Sequence, residues 1–447
     1  MDKIARLRQF GLFDSRVPRY TSYPTAPNFS PATGADFQAD CLRRVDPGAP
    51  VSIYVHIPFC ERLCWFCACH TQGTKTLAPV EAYVAALESE LALVARHLPP
   101  GVRMGRLHWG GGTPTILPPA LIHRLAAAIR AAIPPAEAFD FSVEIDPTLV
   151  DRAKIEALAA EGLTRASLGI QDFDPLVQRA IGRLQSPEAT ARAIADLRAA
   201  GIASLNADLV YGLPRQTEAR LAATVEQVLA LAPDRVAIFG YAHVPWVSKR
   251  QRLIDEATLP GDLDRFRLAT LAADRFAAAG YRRIGIDHFA RPGDALDTAA
   301  RAGRLRRNFQ GYTEDACPVL IGLGASSISR FEQGYVQNAP ATQAWQKRLA
   351  AGDLPGVRGH ALSADDRLRA RAIEALLCDF RLDLAALGEG TETLRPVVAE
   401  VAARFGDLVT ASATRLAIRP EAAPLARIIA SAFDAYLAEG GRFSRAS

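Results

Sequence analysis

Between residues 50 and 290 the chain alternates short apolar runs with amphipathic helical patterns, and few folds accept that order. The strand-like runs are VSIYVHI (51–57), RLHWG (106–110), FDFSVEI (139–145), RASLGI (165–170), SLNADLVY (204–211) and RVAIFGYA (235–242). Between them, residues 79–98, 119–133, 149–162 and 218–231 repeat apolar side chains every three or four positions, the period of a helix with one buried face. Successive strand–helix units bring parallel strands together through right-handed crossovers. Six such units predict an α/β chain with an open or partial (β/α) barrel; a doubly wound sheet is the alternative. Each run reads as apolar in its body.

The strand ends carry the chemistry. They finish in HIPFC, GGGTPT, EIDP, GIQDF, DLVYGLP and YAHVP. In parallel α/β folds ligands sit at the carboxyl edge of the strands. Turn formation accounts for the Gly and Pro there. It does not account for Glu144, Gln171 and Asp208 in corresponding places on three strands, so one shared site is expected.

The 447 residues carry a net charge of +4, and their basic residues are nearly all Arg, with Lys only at 3, 75, 154, 249 and 347. No basic block suggests nucleic acid, although local Arg placement still allows a small anionic ligand. No apolar run approaches the ~18–20 residues of a membrane helix, and the first twenty residues have no secretory pattern. A cytoplasmic monomer is expected. Residues 1–48 read as an irregular extension covering the active site, 49–340 as the barrel, and 341–447 as a mainly helical domain.

Four of seven cysteines, Cys60, Cys64, Cys67 and Cys69, fall within ten residues; Cys41, Cys317 and Cys378 are scattered and read as buried inert thiols. A disulfide framework does not suit a large cytosolic chain. Structural zinc usually takes two ligand pairs across a longer loop, and no second pair exists in the sequence. Thiolates on one short loop suit an iron–sulfur cluster. Three ligands would leave one iron of a [4Fe–4S] cluster open, and four would close it. Spacing alone leaves both open, although Cys67 and Cys69 would point apart in an extended segment.

The C-x3-C-x2-C loop after a first barrel strand resembles the radical S-adenosylmethionine enzymes. Further motifs resemble one branch of them, the oxygen-independent coproporphyrinogen III oxidases of heme biosynthesis. They are PRYTSYPT (18–25), YVHIPFC (54–60), the fourth cysteine, HWGGGTPT (108–115), DLVYGLP (208–214), DHFARP (287–292), RNFQGYT (307–313) and FSR (443–445). The resemblance runs from about residue 17 to 446. It implies a partial (β/α)6-type radical S-adenosylmethionine barrel that converts two propionates of coproporphyrinogen III to vinyl groups.

Residue by residue, the resemblance assigns Cys60, Cys64 and Cys67 to the cluster. Tyr54, Gly111, Glu144 and Ile328 would hold the S-adenosylmethionine on its open iron. Phe66, Gly112, Thr113, Gln171, Arg183, Asp208 and Ala242 would hold a second molecule. Plainer roles compete: helix caps for Glu144 and Asp208, a surface ion pair for Arg183, core packing for Phe66. Cys69 is assigned a catalytic or structural part near the second cofactor. The family pattern would have Gly and Asn at Ala68 and His70, and His70 otherwise reads as an exposed loop residue. Arg19, Arg291 and Arg307 are expected to bind the substrate carboxylates, with Tyr20 beside them. Deleting residues 1–30 is expected to impair turnover and leave the cluster intact. A flavodoxin-type protein is the implied electron donor. The competing readings are a heme-binding chaperone of the same superfamily, whose members tend to lack the fourth cysteine and PRYTSYPT, and a zinc-stabilised binding protein.

Overall fold

The computed structural model describes residues 3–437. Six parallel strands stand side by side in chain order: β1 (Val51–Ile57), β2 (Met104–Gly111), β3 (Pro135–Ile145), β4 (Arg165–Gln171), β5 (Ser204–Tyr211) and β6 (Arg235–Gly240). Leu320–Leu323 returns parallel to the free edge of β1. Antiparallel strands extend both edges, giving twelve strands in one sheet among the described residues. The two end strands do not pair with each other, so the barrel is partial.

The strands alternate with period two rather than being apolar throughout. Ile53, Val55, Leu107, Trp109, Phe141, Val143, Leu168 and Leu205 face the helices and form one core with residues of Ala78–His97 and Pro119–Ala132. Tyr54, His108, Ser142, Glu144, Ser167, Asn206 and Asp208 occupy the intervening positions on the other face, which lines the site.

Helix starts decide one competing role. The helix after β3, Arg152–Ala160, is capped by Asp151, whose Oδ1 accepts from Lys154 N at 2.9 Å. The helix after β5, Glu218–Leu231, is capped by Thr217. Glu144 and Asp208 therefore do not cap these helices.

The sheet runs past residue 340. Gly334–Asn338 pairs antiparallel with Gly356–Ala361, enclosing the helix Thr342–Ala350, and the architecture changes only at Ser363. A capping box of Ser363 and Asp366 opens the helix Ala364–Cys378 there. That helix packs with Arg395–Phe405, Ala426–Ser431 and a three-stranded sheet of Arg381–Asp383, Arg415–Ile418 and Val409–Ala411.

The N-terminal segment is less irregular than expected. It contains the helices Lys3–Gln9 and Ala35–Arg43. Leu7, Leu12, Phe13, Val17, Tyr20 and Tyr23 share a core with Leu376, Leu425, Ile429 and Phe433. Burial decides this: a strap with six large apolar or aromatic side chains needs a partner surface, and residues 364–433 supply it. The FSR motif at 443–445 lies outside the described residues. Among the described residues no helix is long and apolar enough to cross a membrane.

Candidate active site

The cysteine loop leaves the end of β1. Its base is closed where Phe59–Cys60 pairs with Gln72–Gly73. One segment braces its back: Ser248 Oγ donates to the Cys67 carbonyl at 2.8 Å and Gln251 Nε2 to the Phe66 carbonyl at 2.7 Å. Cys64 is buried, Cys60 and Cys67 half-buried, and Cys69 exposed, all as free thiols. The Cys69 N–H donates to Cys67 Sγ at 3.4 Å, and hydrogen bonding from Cys69 holds the Cys67 sulfur below the ordinary thiol range. Arg183 Nη1 lies 3.5 Å from Cys64 Sγ and Thr113 Oγ1 lies 3.6 Å from Cys60 Sγ, so donors already face two of the sulfurs. Among the described residues no three His, Cys, Asp or Glu side chains converge tightly enough to hold a single metal ion. A cubane takes one thiolate per iron, so separated thiols with donors aimed at them fit it. Cys41, Cys317 and Cys378 are buried elsewhere, and burial raises their thiols.

Beside the loop, Tyr54 on β1 stacks on His108 of β2, with centroids 5.8 Å apart and planes 14° apart. Register places them together, Tyr54 opposite His108. Glu144 Oε2 accepts from Gly111 N at 3.0 Å, and its Oε1 lies 3.5 Å from His108 Nε2. Enclosure at the strand ends raises the Glu144 carboxyl, but His108, the Gly111 N–H and His56 outweigh it and the group is held below its ordinary value. A carboxylate open to the site (side chain 42% exposed) suits an ammonium ligand. Two glycines are required here. Gly111 has φ +110°, and a Cβ would stand 2.5 Å from His56 Nδ1. A Cβ on Gly112 would stand 2.6 Å from the Phe59 carbonyl.

The loop 324–328 completes this side and is positioned from behind. Tyr83 Oη donates to the His56 carbonyl and accepts from Ala325 N, both at 2.8 Å. The buried Glu90 accepts from Gly324 N (2.7 Å), Asn338 Nδ2 (2.7 Å) and Trp345 Nε1 (3.1 Å), and burial raises its carboxyl to about 7. These bonds set the entry to Ile328.

Of the residues expected at the second cofactor, Gln171 ends β4, Asp208 lies on β5 and Ala242 follows β6, whereas Phe66 is on the cysteine loop, Gly112 and Thr113 follow β2, and Arg183 follows the helix Pro175–Ala180. Gln171 sits at the end of β4 with φ +69°, a strained conformation for a non-glycine residue, after a register shift at Gly169. Asp208 accepts from Ser167 Oγ at 2.6 Å and Asn206 Nδ2 at 2.8 Å; burial still raises its carboxyl. Arg183 is no surface ion pair: it is buried, donates to the Gly169 carbonyl at 2.8 Å and pairs with Asp146 at 3.1 Å. Phe66 packs partly against Val177, Ile181 and Tyr241, so core packing contributes to its role. The Ala242 carbonyl accepts from Gln251 Nε2 at 3.1 Å, the same amide that holds Phe66. The His70 side chain is exposed and its carbonyl faces His56 Nε2 at 2.9 Å.

Next to Ala242 opens a cavity of about 580 Å³, bordered by Arg16, Arg19, Arg265, Arg283, Arg307 and Arg427 together with Tyr211, Gly240 and Asp287. Arg19 and Arg307 are thus at this cavity. Arg291 is not: it follows the strand His288–Ala290, which runs antiparallel to β6 and therefore points to the opposite end of the sheet. There its N–H donates to the Asp234 carbonyl and its guanidinium lies over Tyr281. Tyr20 also turns away, its hydroxyl donating to Asp434 Oδ2 at 3.0 Å. Sequence reasoning passed over Arg265, Arg283 and Arg427. Arg427 did carry a signal, a lone cation between the buried runs Leu425–Ala426 and Ile428–Ala430.

A family model for the radical SAM superfamily matches residues 54–228. The chain is 60% identical to an oxygen-independent coproporphyrinogen III oxidase of Cereibacter sphaeroides over the full length of both, and 55% identical to that of Paracoccus denitrificans over 98% of both. Coproporphyrinogen III oxidase from Escherichia coli, a radical SAM enzyme, superposes with a TM-score of 0.90 at 36% identity, covering 95% of this chain and 100% of the other. The chain belongs to the oxygen-independent coproporphyrinogen III oxidases of the radical SAM superfamily.

Proposed function

We propose that the protein oxidatively decarboxylates two propionate side chains of coproporphyrinogen III to vinyl groups, giving protoporphyrinogen IX. The observation that carries this reading is the link between cofactor loop and cavity: Gln251 holds Phe66 of the cysteine loop and Ala242 of the arginine-lined cavity with one amide. A [4Fe–4S] cluster held by Cys60, Cys64 and Cys67, together with S-adenosylmethionine, would supply the radical chemistry that removes a hydrogen atom from the propionate. Each propionate then loses CO2 and one electron to an acceptor, leaving a vinyl group.

The protein's own part is holding and excluding. Cys60, Cys64 and Cys67 provide the thiolates. Glu144 and the Gly111 backbone receive the amino acid end of one S-adenosylmethionine, with Tyr54 and Ile328 alongside. Phe66, the Gly112 backbone, Thr113, Gln171, Arg183, Asp208 and Ala242 receive a second. Arg19 and Arg307, joined by Arg265, Arg283 and Arg427, neutralise the carboxylates of the substrate. The strap over the cavity keeps water from the reacting carbon. The enzyme acts as a cytoplasmic monomer fed by a flavodoxin-type donor.

The test is anaerobic turnover of the reconstituted protein with dithionite, S-adenosylmethionine and coproporphyrinogen III, followed by chromatography and mass. Loss of two CO2 with formation of 5'-deoxyadenosine is expected. Deoxyadenosine without decarboxylation would move the reading to another substrate.

A further inference from the structure

The arginine-lined cavity holds one carboxylate away from its rim, and that residue has no evident use for a tetracarboxylate. Glu256 and Asp274 border the cavity at exposed positions, and Asp262 opens a helix at its edge. Asp287 sits deeper, its side chain 20% exposed, fixed beside β6 where its carbonyl accepts from Ile238 N at 2.8 Å. Its polar contacts use one oxygen: Oδ1 meets His288 Nδ1 at 2.7 Å and lies 3.8 Å from Arg307 Nη1. Among the described residues no side-chain hydrogen bond uses Oδ2. Burial would raise this carboxyl, but Arg307, His288 and Arg19 outweigh it and keep it ionised.

An anionic side chain beside the arginines opposes four propionates unless it binds another part of the substrate. A porphyrinogen supplies that part. Its four pyrrole nitrogens each carry a hydrogen, and its saturated bridges let the rings tilt so that these donors converge on one face. We propose that Asp287 accepts hydrogen bonds from the pyrrole N–H groups of the bound porphyrinogen while the surrounding arginines take its propionates. This rests on the reading of the cavity as a coproporphyrinogen site. It makes Asp287 a specificity residue for oxidation state. Oxidised coproporphyrin has the same four propionates, but its planar ring offers only two N–H groups and turns two bare nitrogen lone pairs toward the same point.

The experiment is anaerobic equilibrium binding to the reconstituted holoenzyme without reductant. Coproporphyrin III is followed by its fluorescence and coproporphyrinogen III by competition. Wild type is expected to prefer the porphyrinogen by about ten- to a hundredfold, the range of hydrogen bonds to a charged acceptor. Asp287→Asn should reduce that preference by about tenfold, with coproporphyrin affinity unchanged or higher. Equal wild-type affinities would overturn the proposal, and that measurement needs no variant to fold. A loss in Asp287→Asn that is the same for both macrocycles would also overturn it, leaving Asp287 to order Arg307. If wild type bound neither macrocycle, the substrate reading itself would fall with it.

Discussion

Arg307 Nε donates to the carbonyl of Arg19 at 3.3 Å, so one cavity arginine holds the backbone that carries another. Arg427 repeats the device, donating to the Pro18 carbonyl at 3.2 Å and to that of Val17 at 2.5 Å. The strap is therefore fixed by the cations it helps to enclose. Arg427→Ala should raise KM for the porphyrinogen by at least about tenfold, since hydrogen bonds from a charged group are worth ~1.5–3 kcal/mol. Iron content should not change. Steady-state kinetics beside iron assay check this; an unchanged KM would remove Arg427 from the site.

Removing residues 1–30 should do more than slow turnover. The sequence alone suggests a truncated chain with an intact cluster, but the shared core reverses that expectation. The cut strips Leu7, Leu12, Phe13, Val17, Tyr20 and Tyr23 from the core around Leu376 and Phe433. Even Leu12→Ala alone should lower stability by ~2–5 kcal/mol. Thermal unfolding of the point variant and soluble yield of the truncation are the readouts.

The thiols should separate by role. Ala at Cys60, Cys64 or Cys67 should abolish reconstitution of iron and sulfide, whereas Cys69→Ser should keep the cluster. Gly112→Ala should also impair reconstitution, because its Cβ would stand 2.6 Å from the Phe59 carbonyl at the root of the loop. Iron and sulfide assays with electron paramagnetic resonance of the reduced protein distinguish these outcomes.

Two buried acids give opposite dependences on pH. Glu314 closes the floor of the barrel, with Oε1 3.0 Å from Arg165 and 3.2 Å from Arg106, and Oε2 3.4 Å from Arg235. Burial raises its carboxyl, but the three arginines prevail and bring it to about 2 from an ordinary 4.5. Its stabilisation is thus complete above pH 4.5 and lost as pH falls toward 2. Glu314→Gln should lower stability at neutral pH by ~3–5 kcal/mol and flatten the acid limb.

Glu90 has the reverse sign. Its folded value near 7 exceeds the ordinary 4.5, so stability declines as pH rises through that interval. The decline should be on the order of 3 kcal/mol, and Glu90→Gln should remove most of it. Denaturant melts from pH 2 to 7.5 measure both acids, Glu314 below pH 4.5 and Glu90 above it.

Much of the fold was readable because two periods coexist. VSIYVHI and SLNADLVY match β1 and β5 to the residue, and residues 218–231 match their helix. What escaped notice was the alternation inside the strands, already present in RLHWG, where Arg106 and His108 interleave with Leu107 and Trp109. The residues at the strand ends were legible for the same reason that parallel sheets place ligands there. Arg291 misled because a motif gives proximity along the chain, and only the antiparallel turn of His288–Ala290 fixes which end of the sheet follows. Arg265, Arg283 and Arg427 reach the cavity from three separated segments, a convergence that no local pattern records.

The partnership between residues 7–23 and 368–433 also sets an order of events during synthesis. The strap leaves the ribosome before the barrel, yet the surface it packs on is made after it. The emerging barrel, cysteine loop included, is complete before its cover has anything to rest against. Closure over the site thus waits until the barrel is already made.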